Sequence, residues 1–213
     1  MKNKIQLLGL LSAVAVVMIL GRIIMVQNLG GTFLVWNLFL AWIPLGLAYL
    51  AEDFWRQKFL GRWSVLACLG LWLLFFPNAP YLITDLIHLK GSPDHLIWYD
   101  ALMDFVFALA GLITGLYSLL KVHRLIDRIG NKPIAWVIVT ATLILSSYGV
   151  YLGRFGRWNS WDIVNHPFSL IRYSIHSLHN PLAVQLTLSF SFAMTVIYGA
   201  FWLYSRGKTD FHP

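Results

Sequence analysis

Only one cysteine occurs in the chain, Cys68, and it lies inside an apolar stretch. A disulfide framework and a cysteine-rich metal site are therefore both excluded. Charge is scarce too: charged residues fill 12% of 213 positions, against 58% hydrophobic. With a mean hydropathy of +0.67, such a chain has a bilayer rather than water as its natural solvent. No internal repeat or low-complexity tract stands out. Acids are fewest of all, nine against sixteen Lys and Arg, and the net charge of +7 raises nucleic acid as a partner. The positions of those charges point to membrane orientation instead, so the expected partner is the lipid bilayer and no nucleic acid.

What is present is long apolar runs. Six segments stand out: Ile5 to Val26, Thr32 to Ala51, Trp63 to Phe76 with a broken continuation to Leu89, Trp98 to Leu120, Ile134 to Leu152, and Ala183 to Tyr204. The expected fold class is an all-α polytopic membrane helix bundle of about six spans, with residues 1–213 forming a single transmembrane domain. Lys2 and Lys4 give the first run a basic start, but no small-residue cleavage site follows and Ile23 to Val26 extend it past Arg22. It reads as a retained helix. Sorting Lys and Arg by alternate sides puts eleven on the face of the termini. The other five, Arg22, Lys90, Arg154, Arg157 and Arg172, lie opposite. The positive-inside rule then makes both termini cytoplasmic. Asp85, Asp94, Asp100, Asp104 and Asp162 fall at the outer side, as do His88, His95, His166, His176 and His179.

Within the third segment the run Phe76-Pro77-Asn78-Ala79-Pro80-Tyr81-Leu82-Ile83-Thr84-Asp85-Leu86-Ile87-His88-Leu89 breaks the apolar pattern. Each proline removes a backbone donor and pushes the residue before it out of helical geometry. The freed groups must face protein or a water-filled cavity, and such breaks mark binding sites. About 14 residues from Trp63 to Phe76 rise roughly 21 Å, which leaves the break in the outer leaflet. The helix is expected to resume near Pro80 with Asn78 as its cap. An α-helical period puts Tyr81, Thr84, Asp85 and His88 on one face, and the helix start offers an anion site.

In the fourth segment Asp100, Asp104, Ala108, Gly111, Gly115 and Ser118 recur on one helical face. Small residues in such a stripe let helices approach closely, so this face turns inward and carries both aspartates with it. A carboxylate there costs about 2.5 to 3.5 kcal/mol, which demands pairing, protonation or access to water. Arg154 and Arg157, emerging from the fifth segment, are the expected counter-ions, and Arg22 or the His88 region are further partners. After them Trp158 and Trp161 suit the membrane interface. Phe168, Ile171, Ile175 and Leu178 then form the apolar face of an amphipathic outer helix.

Three stretches carry a family resemblance: the Phe76 to Leu89 run, Trp98-Tyr99-Asp100, and Gly149 to Asp162 with Tyr151-Leu152-Gly153-Arg154-Phe155 and Arg157-Trp158-Asn159-Ser160-Trp161-Asp162. The chain resembles the bacterial multi-pass family catalogued as domain of unknown function thirteen sixty-one. The resemblance implies a bacterial inner-membrane (plasma-membrane) protein and carries no activity, cofactor or catalytic residue with it.

The residues leave three functional classes open. One is a protein with an outward-facing polar pocket that binds a small polar ligand, an ion or a lipid headgroup. Asn78, Tyr81, Asp85, His88, Asp100, Asp104, Arg154, Arg157 and Asp162 are expected to line it. Their mixture of acids and arginines favours a zwitterionic or polar ligand. A second class is a membrane-embedded enzyme using Asp85, His88, Asp100, Asp104 or His166 as acid, base or metal ligand. Asp85-x-x-His88 and His176-x-x-His179 can each present two ligands, but no zincin, kinase or hydrolase signature accompanies them, so no metal or cofactor is assigned. The third is an envelope scaffold whose polar groups only lock helices together. Coupled transport is disfavoured, since no comparable acidic set faces the cytoplasm.

Overall fold

The apolar runs become long helices because only a helix satisfies every backbone amide and carbonyl within its own segment in lipid. A computed structural model describes residues 2–57, 61–91 and 94–207. In chain order the elements are α1 (Lys2–Val26), α2 (Phe33–Gln57), α3 (Gly61–Phe75), α4 (Asn78–Tyr81), a 3-10 helix (Leu82–Gly91), a 3-10 turn (Asp94–Leu96), α5 (Ile97–Ile129), α6 (Lys132–Gly156), α7 (Asp162–Asn165), α8 (Pro167–Ser177) and α9 (Pro181–Gly207). No strand occurs among the described residues. Six stretches are long and apolar enough to cross a membrane: Asn3–Val26, Phe33–Gln57, Gly61–Ile87, Asp94–Ile129, Lys132–Gly156 and Pro181–Arg206. An even number of crossings brings the two ends of the chain to one face, called here the terminal end.

Helix α5 is the central post, since α1, α2, α6 and the elements of the break all pack on it. Its stripe of small residues faces inward, with Asp100, Asp104, Ala108, Gly111, Gly115 and Ser118 all buried. What that stripe meets is the break. A Cβ added at Gly115 would lie 2.7 Å from the Ala79 methyl, and one at Gly111 would lie 3.0 Å from the Ala79 carbonyl oxygen. From the other side α6 presents Gly149, where a Cβ would come within 2.8 Å of Pro77 Cγ. The broken segment is thus clamped between two glycine-bearing helices.

The break differs from its sequence expectation in two ways. Helical structure resumes at Asn78, before Pro80, and after one α-turn it tightens into the ten-residue 3-10 helix. Three residues per turn, not 3.6, then set the buried face. Leu82 and Asp85, one 3-10 turn apart, stand directly above one another on the inner side, at 0% and 1% exposure.

Asn78 is also no cap. Its amide donates to the Phe75 carbonyl at 2.8 Å and to Ser160 Oγ at 3.0 Å, while Ser160 Oγ donates to the Leu74 carbonyl at 3.1 Å. Leu74 and Phe75 are carbonyls that lose their usual partners where α3 ends, so two side chains supply what the interrupted ladder withholds.

At the terminal end Glu52 of α2 accepts from Arg56 at 2.9 Å and from Arg128 of α5 at 3.1 Å, and it also pairs with Lys121. At the opposite end α8 leaves Phe168, Ile171, Ile175 and Leu178 exposed along one side, the amphipathic face read from the sequence. Tyr148 of α6 anchors α8 by donating to the Ser174 carbonyl at 2.6 Å.

Candidate functional site

The polar residues at the break end separate into a buried charge network and a cleft beside it. In the network, Asp85 of the 3-10 helix forms an ion pair with Arg154 of α6 and accepts from Asn37 Nδ2 of α2 at 3.0 Å. The Arg154 guanidinium also donates to Thr84 Oγ1, from Nε at 3.0 Å and Nη2 at 2.8 Å. It lies over the Tyr81 ring, 4.4 Å from the centroid. These contacts tie α6 to the continuation of the broken span. Burial explains the density of partners, since a desolvated charge survives only when paired and hydrogen-bonded.

A second pair lies one helix away. Arg22 of α1 forks onto Asp100 of α5, Nε to Oδ1 at 2.6 Å and Nη2 to Oδ2 at 3.1 Å, and its Nη1 donates to the Gly30 carbonyl at 2.9 Å. The bidentate fork is the strong geometry for a guanidinium and a carboxylate. Asp104, one turn along α5 and 6% exposed, has no hydrogen bond or ion pair among the described residues. Its charged neighbours are Asp100, Asp85 and Arg22. Three carboxylates therefore share two guanidinium groups.

The cleft has a volume of about 560 Å³ and lies between α3 and α6, roofed by the loop that follows α6. Its upper lining is polar, with Asn37, Asn78, Tyr81, Arg157, Asn159 and Ser160, and its lower lining is apolar, including Leu40, Gly70, Leu73 and Leu145. Arg157 closes α6 in the left-handed region, at φ 56° and ψ 30°, with its N–H donating to the Leu152 carbonyl. Its side chain is exposed and makes no ion pair or hydrogen bond among the described residues. The buried indole Nε1 of Trp158, on the same wall, likewise has no acceptor among the described residues. No carboxylate lines the cleft among the described residues.

Several sequence expectations are corrected by this geometry. Arg154 neutralises Asp85 and not the aspartates of α5, whereas Arg22, the further partner expected for those aspartates, does pair with Asp100. Arg157 is no counter-ion among the described residues; it caps α6 in the left-handed region and lines the cleft. Asn78 and Tyr81 line the cleft, whereas Asp85, Asp100, Asp104 and Arg154 stay in the network behind it. Asp162 joins neither: it accepts from the Asn159 N–H at 2.7 Å and closes the loop on itself. His88 falls on the 3-10 helix, and its side chain is outside the described residues.

Asn37 is the network member that sequence reasoning passed over, and Thr84, placed on the face of Asp85, was not among the residues expected at the site. Asn37 carried a usable signal, a lone amide in the apolar run of α2.

A family model with the description protein of unknown function (DUF1361) matches residues 36–198, a stretch that holds every network and cleft residue named above except Arg22. No curated protein and no solved structure matches the chain. With the match covering most of its length, from α2 into α9, the chain belongs to this family of multi-helix proteins of unknown function.

Proposed function

We propose that the chain is a bacterial plasma-membrane protein with cytoplasmic termini, forming one transmembrane domain whose outward-facing cleft binds a small polar ligand or a lipid headgroup. The observation that carries this reading is the contrast between the two polar groups. Asp85, Arg154, Asp100 and Arg22 spend their hydrogen bonds on one another, which is what buried charge requires. Arg157 lines a cleft of ligand size with its side-chain donors unused among the described residues. The orientation follows from the eleven to five division of Lys and Arg.

The scaffold reading draws on the network itself, whose pairs join α1 to α5 and α6 to the break. A membrane-embedded enzyme needs an acid or base within reach of its substrate, and the carboxylates stand behind the cleft wall, which favours binding. The deciding experiment is native mass spectrometry of the protein released from its membrane in mild detergent. A retained small molecule or lipid, lost in Arg157→Gln at unchanged folded yield, is the expected result. A wild-type protein free of any retained mass would leave the scaffold as the better reading.

A further inference from the structure

We propose that the cleft takes a lipid sideways from the membrane, holding a headgroup phosphate at Arg157 and the upper hydrocarbon chain between α3 and α6. This rests on the preceding assignment of the cleft as the ligand site and names the ligand class. Charge sets the first half of the argument. The cleft carries one guanidinium and no carboxylate among the described residues. A cation with no acid beside it selects an anion, and the zwitterion suggested by the sequence loses its reason once the acids lie elsewhere. Asp162, the nearest acid in the chain, is turned to the Asn159 amide.

The apolar wall supplies the second half. A free phosphate needs only the roof, yet the cleft runs on down to Gly70, five residues and so about 7.5 Å below the end of α3 at Phe75. Helix α3 leans on α2, and α6 leans on α9 and α5, so the lower walls stand apart. Gly70 and Leu145, one on each wall, are both exposed, and a Cβ at Gly70 would meet nothing within 4 Å. On a spanning helix exposure means contact with lipid tails, so the cleft opens to the side. Trp36 and Trp161, with ring centroids 6.5 Å apart, stand near the roof at the level where tryptophan favours the headgroup region.

The left-handed Arg157 adds an independent point. That backbone region favours glycine, and glycine is the usual residue after a helix end. A long cation in its place lines the cleft and meets no protein acid there.

The test uses the full chain in mild detergent, titrated with three probes: a short-chain phosphatidic acid, the diacylglycerol with the same chains, and glycerol 3-phosphate. Binding is read by native mass spectrometry and folding by thermal denaturation. Phosphatidic acid should bind saturably at one site, and the other two probes at least tenfold more weakly. Arg157→Gly should weaken phosphatidic acid at least tenfold without lowering the melting temperature. Gly70→Leu, which fills the lower cleft where space is open, should weaken it similarly. Equal binding of diacylglycerol overturns the phosphate assignment. Glycerol 3-phosphate binding as tightly as the lipid, and unchanged by Gly70→Leu, overturns the lipid while preserving a polar-ligand cleft. Saturable binding of none of the three overturns this inference and leaves the co-purification result to judge the broader reading.

Discussion

At the scale of single residues, the carboxylates of the network are not equivalent. Asp85 and Asp100, both buried, each neutralise a half-buried arginine, so Asp85→Asn or Asp100→Asn removes the counter-charge that the guanidinium faces. Losses of about 3 to 5 kcal/mol accompany such a change, and folded yield in detergent should fall sharply for both. Asp104 adds a third carboxyl group beside the other two and holds no hydrogen-bond or ion-pair partner of its own among the described residues. Asp104→Asn should therefore leave the melting temperature unchanged or raise it. A drop as large as that of Asp100→Asn would show that Asp104 has a structural partner. Arg157→Gly should also be tolerated, because a non-glycine residue in the left-handed region costs about 1 to 3 kcal/mol that glycine does not.

At the scale of elements, the broken span stands by virtue of its neighbours. Two carbonyls released where α3 ends are satisfied by Asn78 and Ser160, and Ser160 belongs to a loop more than eighty residues along the chain. Ser160→Ala should cost about 1 to 3 kcal/mol, since it strands the Leu74 carbonyl and one donor of Asn78 together. Ser160→Thr, which keeps the hydroxyl, should recover most of that in the same thermal assay. Close approach is the other support. Gly115→Leu or Gly149→Leu would force α5 or α6 off the break, and either should destabilise by more than about 1 to 3 kcal/mol because the neighbouring atoms include backbone and a proline ring. Gly46→Leu, at a position where a Cβ meets nothing, is the control that should behave as wild type.

At the scale of the whole molecule, the proposed orientation makes the cleft and the α8 helix look outward. Single cysteines at Asp94 and Asn159 in a Cys68→Ala background should react with an impermeant thiol reagent applied to intact cells. Labelling that appears only after lysis would reverse the orientation.

Which parts of this architecture were legible in the chain follows from the range of the forces involved. The six spans, the presence of a break at Pro77, the inward stripe of α5 and the amphipathic α8 were readable, because apolar length, missing proline donors and helical periodicity are local properties written in consecutive residues. Partner choice was not. Arg154 reaches Asp85 and Arg22 reaches Asp100 across 69 and 78 positions, and several pairings of the same charges satisfy any sequence-level rule. The 3-10 tightening after Tyr81 was hidden for the same reason, since it is set by the fit of Leu82 and Ala79 against the glycines of α5. Periodicity can name the face of a helix that turns inward; which atoms it meets there, and which donors are left over for a ligand, emerge only when distant segments close-pack and desolvate one another.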